Sequence, residues 1–285
     1  IFIPLITFIF MFGRWHKKGR DPKGSGIIVP EYDAPNGLTP IEVGFLLSDK
    51  FRKSDISAEI IYLATKGYLK VVAVEKKGFF SKNDYKLVRQ KDFSTVENDF
   101  DKKILDSIFG VKSSLVSTKN LSSLEKKFYT SISKVKDLVK KNLKSKEYYK
   151  NLPNGISIMV LIVFFFISIK AVALLDFSSR NVLLLICAFA VSFIIVGIFQ
   201  SLMSAKSIKG VKVREQILGL KKYLSIAEKD RLQFHNAPEK KPELFEKLLP
   251  YAMVLGVEKE WAEEFENIYT TPPSWYEDQH GTFNS

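Results

Sequence analysis

Three histidines, His16, His235 and His280, and one cysteine, Cys187, are the side chains of this 285-residue sequence best suited to hold a metal or attack a substrate. Their spacing suits neither task. The histidines stand in separate contexts, without the i, i+4 pairing of a helical zinc site, and a lone cysteine has no disulfide or thiolate companion. The sequence contains no glycine-rich phosphate loop, dinucleotide fingerprint or nucleophile elbow. No cofactor and no metal is therefore expected. Two polar clusters remain, Gly19-Arg20-Asp21-Pro22 and Ala227-Glu228-Lys229-Asp230-Arg231-Leu232. A carboxylate beside an arginine is far more often an ion pair or a helix-end contact than a catalytic pair. Arg20, Asp21, Glu228 and Arg231 are read as structural polar groups, and no catalytic residue is assigned.

A third constellation suits a surface rather than a reaction. Lys76, Lys77, Phe79, Phe80 and Lys82 cluster around Gly78 at what reads as a hairpin tip. Two adjacent rings flanked by lysines fit the headgroup boundary of an anionic bilayer, where the rings bury and the ammonium groups meet phosphate. These five are membrane-contact candidates. The alternative, that both rings pack beneath their own domain, stays open.

The elements that must carry these residues follow from hydropathy and charge. The formal charge of +12 with 46% hydrophobic residues, 23 of them Phe, excludes both a disordered polycation and an ordinary soluble enzyme. The apolar residues gather in three stretches, 1–12, 155–175 and 182–203. About 20 apolar residues cross a bilayer core, so the second and third are long enough and the first reads as the end of a cut helix. Lysines and arginines flank the outer ends of these stretches, whereas the loop 176–181 has one Arg and one Asp. By the positive-inside rule that loop lies outside, and residues 13–152 and 205–285 face the cytoplasm. Lys170, near the outer end of the second stretch, can snorkel to the headgroups. An ion pathway would need intramembrane carboxylates that the stretch lacks.

Between the first two stretches, 13–37 reads as an extended basic connector and 38–152 as a cytoplasmic domain. Thr39, Pro40 and Glu42 place an N-cap, a first-turn proline and a capping-box carboxylate in order. A second helix from about Ser54 carries Ile56, Ile60, Leu63 and Ala64 on one face and stops at Gly67. Strands are expected at 68–74 and 85–89. Ser94 and Glu97 form another capping box ahead of Phe100, Ile104 and Ile108, and an amphipathic helix should run from Ser122 to about Tyr149.

Helix, turn, helix and hairpin is the order of a winged helix. The second helix offers Asp55 and Glu59 but no cation in 54–65, which argues against nucleic acid as a partner and for protein contact. Residues 153–204 form a transmembrane helical hairpin. Residues 205–269 form a helical cytoplasmic segment, with a helix from Gly210 to about Phe234, one from Glu243 broken at Pro250, and an acidic one over 257–269. Residues 270–285 are an extended tail.

The strings Gly19-Arg20-Asp21-Pro22, Pro30-Glu31-Tyr32, Gly37-Leu38-Thr39-Pro40 and Glu42-Val43-Gly44 resemble the YciQ-like family of predicted bacterial membrane proteins. So do Gly219-Leu220-Lys221, Ala227 to Leu232, Leu249-Pro250-Tyr251-Ala252 and Leu255-Gly256. The family is a domain of unknown function, so the resemblance transfers no reaction. It implies an extracytoplasmic β-rich domain ahead of the first helix, consistent with 1–12 being a cut span.

The combined expectation is an α+β membrane protein, multi-pass in a bacterial cell membrane. It has a winged-helix-like cytoplasmic domain, a transmembrane hairpin and a helical C-terminal segment docking beneath it. Its expected partners are the lipid bilayer and other proteins, in a scaffold or signal-coupling role. The alternatives are a membrane-tethered winged-helix nucleic-acid binder and a membrane-embedded lipid-handling protein.

Overall fold

The computed structural model describes residues 2–74, 84–110, 118–152, 166, 170, 179–225, 238–239, 241–266 and 272–278. They form a mixed helical and sheet structure that divides into two compact units. One unit holds residues 1–25 and 144–212, the other 26–143 and 213–285.

In the first unit, α1 (Phe2–Lys18) packs along α6 (Ser179–Ser201). Phe8 meets Phe199 edge to face at 5.6 Å, and Trp15 reaches the same ring at 6.5 Å. The span Leu184–Ser201 in α6 is long and apolar enough to cross a membrane, and only 11% of it is buried by the protein. A soluble core helix would be covered on most sides, so this helix has the outer surface of a lipid-facing one. Beyond α6 the chain pairs β5 (Ala205–Lys206) antiparallel with β4 (Tyr149–Asn151). Asn151 Nδ2 donates to the Met203 carbonyl at 2.9 Å, and Ser207 Oγ to that of Glu147 at 2.6 Å. Ser207 leads into α7 (Ile208–Leu224), whose first residues belong to this unit.

The second unit begins with α2 (Pro40–Ser48) and α3 (Lys53–Thr65). Glu42 Oε2 accepts the Thr39 amide at 3.1 Å, closing the capping box that the sequence spells out. Gly44 lets the two helices approach: a Cβ there would lie 2.8 Å from Asp55 Oδ1. Asp55 in turn fixes the start of α3, accepting the Arg52 amide at 2.9 Å and its Nη2 at 2.7 Å. Gly67, at φ +75°, ends the turn after α3, where a side chain would be strained.

β1 (Leu69–Val74) and β2 (Asp84–Arg89) pair antiparallel with Leu69 opposite Arg89, within about a residue of expectation. The short strand β3 (Thr118–Asn120) extends the sheet beyond β2. α4 (Asp99–Phe109) starts later than the Ser94–Glu97 box predicts. Residues 93–95 form a 3₁₀ turn, and Asn98, whose Nδ2 binds Asp101 at 3.0 Å, stands at the cap position. α5 (Leu121–Ser145) buries Val135, Val139 and Leu143, spaced four residues apart along one face.

The C-terminal helices α8 (Pro242–Leu255) and α9 (Glu258–Glu263) complete this unit, α8 packing on α2 and α3. Pro250 does not end α8, contrary to expectation. The helix continues to Leu255 with Pro250 buried, and it terminates at Gly256 in the left-handed region. Arg52 Nη2 donates to the Val254 carbonyl at 2.6 Å, satisfying a free acceptor of that last turn. The tail supplies β6 (Tyr276–Asp278), parallel to β1, so the sheet order is β3-β2-β1-β6.

The connector is seated rather than loose. Gly26 donates to Glu215 Oε1 at 2.9 Å, and Tyr32 meets Tyr223 edge to face at 4.9 Å. Tyr223 continues into an aromatic row through Trp261 and Phe265 to Phe245. A Cβ on Gly219 would lie 2.0 Å from the Val29 carbonyl oxygen. In contrast, a Cβ on Gly197 of α6 would meet nothing within 4 Å. Gly219→Ala should therefore push the connector off α7 and lower stability by about 1–3 kcal/mol. Gly197→Ala should hold or raise stability. Thermal unfolding of the full chain in detergent, followed by circular dichroism, checks the contrast. Equal melting of the two variants would show the connector is not seated on α7.

Candidate functional site

Gly19, Arg20 and Asp21 follow directly on α1 and make contacts on both sides. Gly19 donates to the Trp15 carbonyl at 2.7 Å, and a Cβ there would strike the Trp15 ring at 2.6 Å. The Arg20 guanidinium stands over that ring, 5.8 Å from its centre. Asp21 accepts the Lys206 backbone amide at 2.7 Å, with the buried Lys206 ammonium at 3.8 Å. The motif ties the end of α1 to the β4–β5 pair. Lys76, Lys77, Phe79, Phe80, Lys82, Glu228 and Arg231 lie outside the described residues. Lys170 is exposed on a helix.

A cavity of about 450 Å³ opens in the second unit between the connector end, the C-terminal half of α3 and α8. Asp33, Tyr62, Lys66, Glu243, Glu246, Lys247 and Tyr251 line it. Its volume is in the range of small-molecule sites, and it combines an aromatic floor with a charged rim. Tyr62 and Tyr251 form the floor, edge to face with centroids 6.1 Å apart. Tyr251 donates its hydroxyl to the Leu38 carbonyl at 2.9 Å. Across the mouth Lys247 pairs with Asp33, both half exposed, and the Lys66 ammonium lies 5.3 Å from the Tyr62 ring centre. Glu246 is held by Trp275, whose Nε1 donates at 2.9 Å.

Burial raises both phenols, followed by nearby carboxylates for Tyr62 and by Tyr62 itself for Tyr251. Tyr62 is pushed up to about 12 by desolvation and by Glu59 and Asp101, and Tyr251 is raised further. Both therefore remain protonated at neutral pH and serve as hydrogen-bond donors rather than as bases or nucleophiles. The arrangement can bind a ligand that presents both acceptors and charge. Among the described residues no cluster of His, Cys, Asp and Glu has metal-holding geometry.

The acids that the sequence shows in α3 are not solvent-facing, and neighbours on α2 and α4 join them. Asp55 and Glu59 are fully buried, as is Glu42, and Asp101 is 3% exposed. Glu59 Oε2 accepts the Ile41 amide at 2.7 Å, capping the first turn of α2. Glu42 Oε1 accepts from Asn142 Nδ2 of α5 at 3.0 Å. Desolvation, followed by the adjacent Asp101 charge, raises the Glu59 carboxyl well above its ordinary value. The signal was present in the sequence. Glu59 occupies the i+3 place in the series Ile56, Ile60, Leu63, and so lies on the apolar face of α3.

Residues 28–265 match the family model described as "Predicted membrane protein (DUF2207) C-terminal domain". No curated protein and no solved structure matches the chain.

The buried Glu59 carries a pH signature. Below about 4.5 both folded and unfolded states hold its proton, and the stability linked to it is fully present. Above that the unfolded chain ionises while the folded carboxyl keeps its proton. This contribution is therefore lost as pH rises through the folded pKa, with a slope of up to about 1.4 kcal/mol per pH unit. Glu59→Gln keeps an acceptor for Ile41 and a donor for Asp101, and should flatten this loss. Denaturant unfolding of both proteins between pH 5 and 8, followed by tryptophan fluorescence, is the measurement. Parallel stability curves would contradict a protonated Glu59.

Proposed function

The chain belongs to the family of predicted membrane proteins that share the DUF2207 C-terminal domain, and from that premise we propose a multi-pass membrane anchor for a scaffold or signal-coupling module. The observation that carries the reading is the use made of the family-like motif residues. Thr39 and Glu42 close the cap of α2, Asp21 accepts the Lys206 amide, Gly44 and Gly219 admit a carboxylate and a carbonyl, Tyr251 binds the Leu38 carbonyl, Gly256 ends α8, and Arg20 lies over the Trp15 ring. Side chains occupied in this way build a platform rather than a reaction centre. The platform offers a charged, aromatic-floored cleft to a partner. More than one span is supported by the outer face of α1, where Phe2, Leu5, Ile6, Ile9 and Phe10 are exposed, and by the apolar stretch 155–175.

Within the soluble unit, α2, a four-residue turn, α3 and the β1–β2 pair follow one another in winged-helix order. A protein-contact role for it is favoured over nucleic-acid binding. The exposed positions of α3 are Lys53, Ser54 and Ser57, which give a single cation for phosphate. The charge of the flanking segments supports a cytoplasmic location for 13–152 and 205–285.

Topology is the direct test. In a Cys187→Ser background, Lys50→Cys and Glu239→Cys should react with a membrane-impermeant maleimide only after intact cells are permeabilised. Arg180→Cys should react from outside without permeabilisation. Labelling of positions 50 and 239 from opposite faces would overturn the reading.

A further inference from the structure

We propose that the outer edge of β1 is an acceptor site for an extended acidic segment of another protein, held shut here by the chain's own tail. The proposal deepens the protein-contact reading above and rests on it.

β6 lies about 200 residues from β1 in sequence, and it is parallel to β1 in a sheet whose other pairings are antiparallel. Three residues pair, with Val71 opposite Tyr276, Val72 opposite Glu277 and Ala73 opposite Asp278. Val71 also donates to the Trp275 carbonyl at 2.8 Å. Remove this segment, and one side of β1 presents unpaired backbone groups beside the cleft. An open edge of that kind pairs readily with an incoming strand.

Side chains give the edge a code. Lys70 binds Glu277 at 2.7 Å, and Trp275 donates to Glu246 at 2.9 Å. An aromatic donor two places before a carboxylate is thus read by one acid and one lysine, while the backbone ladder supplies sequence-independent affinity. Among the described residues the attachment includes three paired residues, the Val71–Trp275 backbone bond, a half-exposed ion pair and an indole bond, a short segment of the kind that can exchange. Because Glu246 also lines the cleft, departure of Trp275 removes an indole hydrogen bond from a carboxylate at the cleft wall. A partner strand that brings its own indole restores that bond, so occupancy of the edge and the state of the cleft are linked.

The probe is a fluorescein-labelled peptide of residues 272–278, Pro-Pro-Ser-Trp-Tyr-Glu-Asp, added to full-length protein in detergent micelles. The intact chain should not bind it measurably, because its own tail occupies the edge at high effective concentration. A full-length Trp275→Ala/Glu277→Ala variant and a chain ending at residue 271 should both bind it saturably. Adding Lys70→Glu should weaken that binding about two- to fivefold, the scale of a half-exposed pair. A peptide carrying Glu277→Lys should recover it. Absence of binding to both opened variants, each melting cooperatively, overturns the proposal. So does equal binding to the intact chain, or indifference to the charge swap. Any of these failures leaves the maleimide topology result intact, so the two readings fall separately.

Discussion

An amide in the first turn of α2 is buried and must be given an acceptor. Glu59 of α3 provides it, at 2.7 Å from Ile41. That demand brings a carboxyl group into the interior beside Asp101 of α4, where two negative charges would repel across a medium of low polarity. A proton retained on Glu59 resolves the conflict, because a neutral carboxyl still accepts from Ile41 and can donate toward Asp101. Glu42, one residue after Ile41, accepts from Asn142 of α5. Four helices, drawn from residues 40–145, are therefore located by a single polar seam. Replacing one member leaves the others unsatisfied, at a cost larger than any of these bonds contributes singly. Tyr62 stands one turn beyond Glu59, so the cleft floor inherits its position and its raised phenol from the same seam.

The glycines in the motif strings share a second constraint, close approach of backbone or carboxylate. Gly44 admits Asp55, Gly219 admits the Val29 carbonyl, and Gly19 admits the Trp15 ring and the end of α6. In each case a methyl group would occupy space already filled. Their polar neighbours in the strings follow the same logic: Asp21 caps β5, Thr39 and Glu42 cap α2, and Tyr251 binds the Leu38 carbonyl. Such motifs locate packing contacts, and the exposed charge collects elsewhere. It gathers in the cleft, whose Asp33, Lys66, Glu243 and Lys247 stand outside those strings.

How much of this was legible depends on the range over which each signal acts. The α2 cap, the α3 stop at Gly67 and the β1–β2 pair are written in a few consecutive residues, and the structure has them within one or two positions. Glu59 was readable from its place on the apolar face, but its charge suggests solvent until the Ile41 amide is known to need it. Pro250 suggests a break because it cannot donate to the carbonyl four residues earlier. The packing of α8 on α2 and α3 holds the helix through that gap, and no local pattern announces it. The cleft depends on the same packing: its residues come from 33–37, 62–66 and 243–251, and spacing along the chain cannot reveal that they meet. A three-residue strand such as β6 has no periodicity of its own, since its conformation comes from the edge it joins.

The apolar surface of α6 sets the remaining condition. Leu184, Ile186, Val191, Phe193, Ile194 and Ile198 are each more than 40% exposed. At about 1.5–3 kcal/mol for each large side chain fully buried, six half-exposed ones together forgo roughly 5–9 kcal/mol. That is comparable to the whole net stability of a folded domain. Such a helix is sustained only where the surroundings are as apolar as a protein core, and Leu184–Ser201 has the length of a bilayer crossing. The backbone imposes no opposing cost, since a helix satisfies its own amides and carbonyls in lipid. Trp15 and Arg20 sit together near the basic end of α1, an amphipathic ring beside a cation. That pairing suits a boundary between hydrocarbon and water, where an indole can bury its face and a guanidinium can remain hydrated.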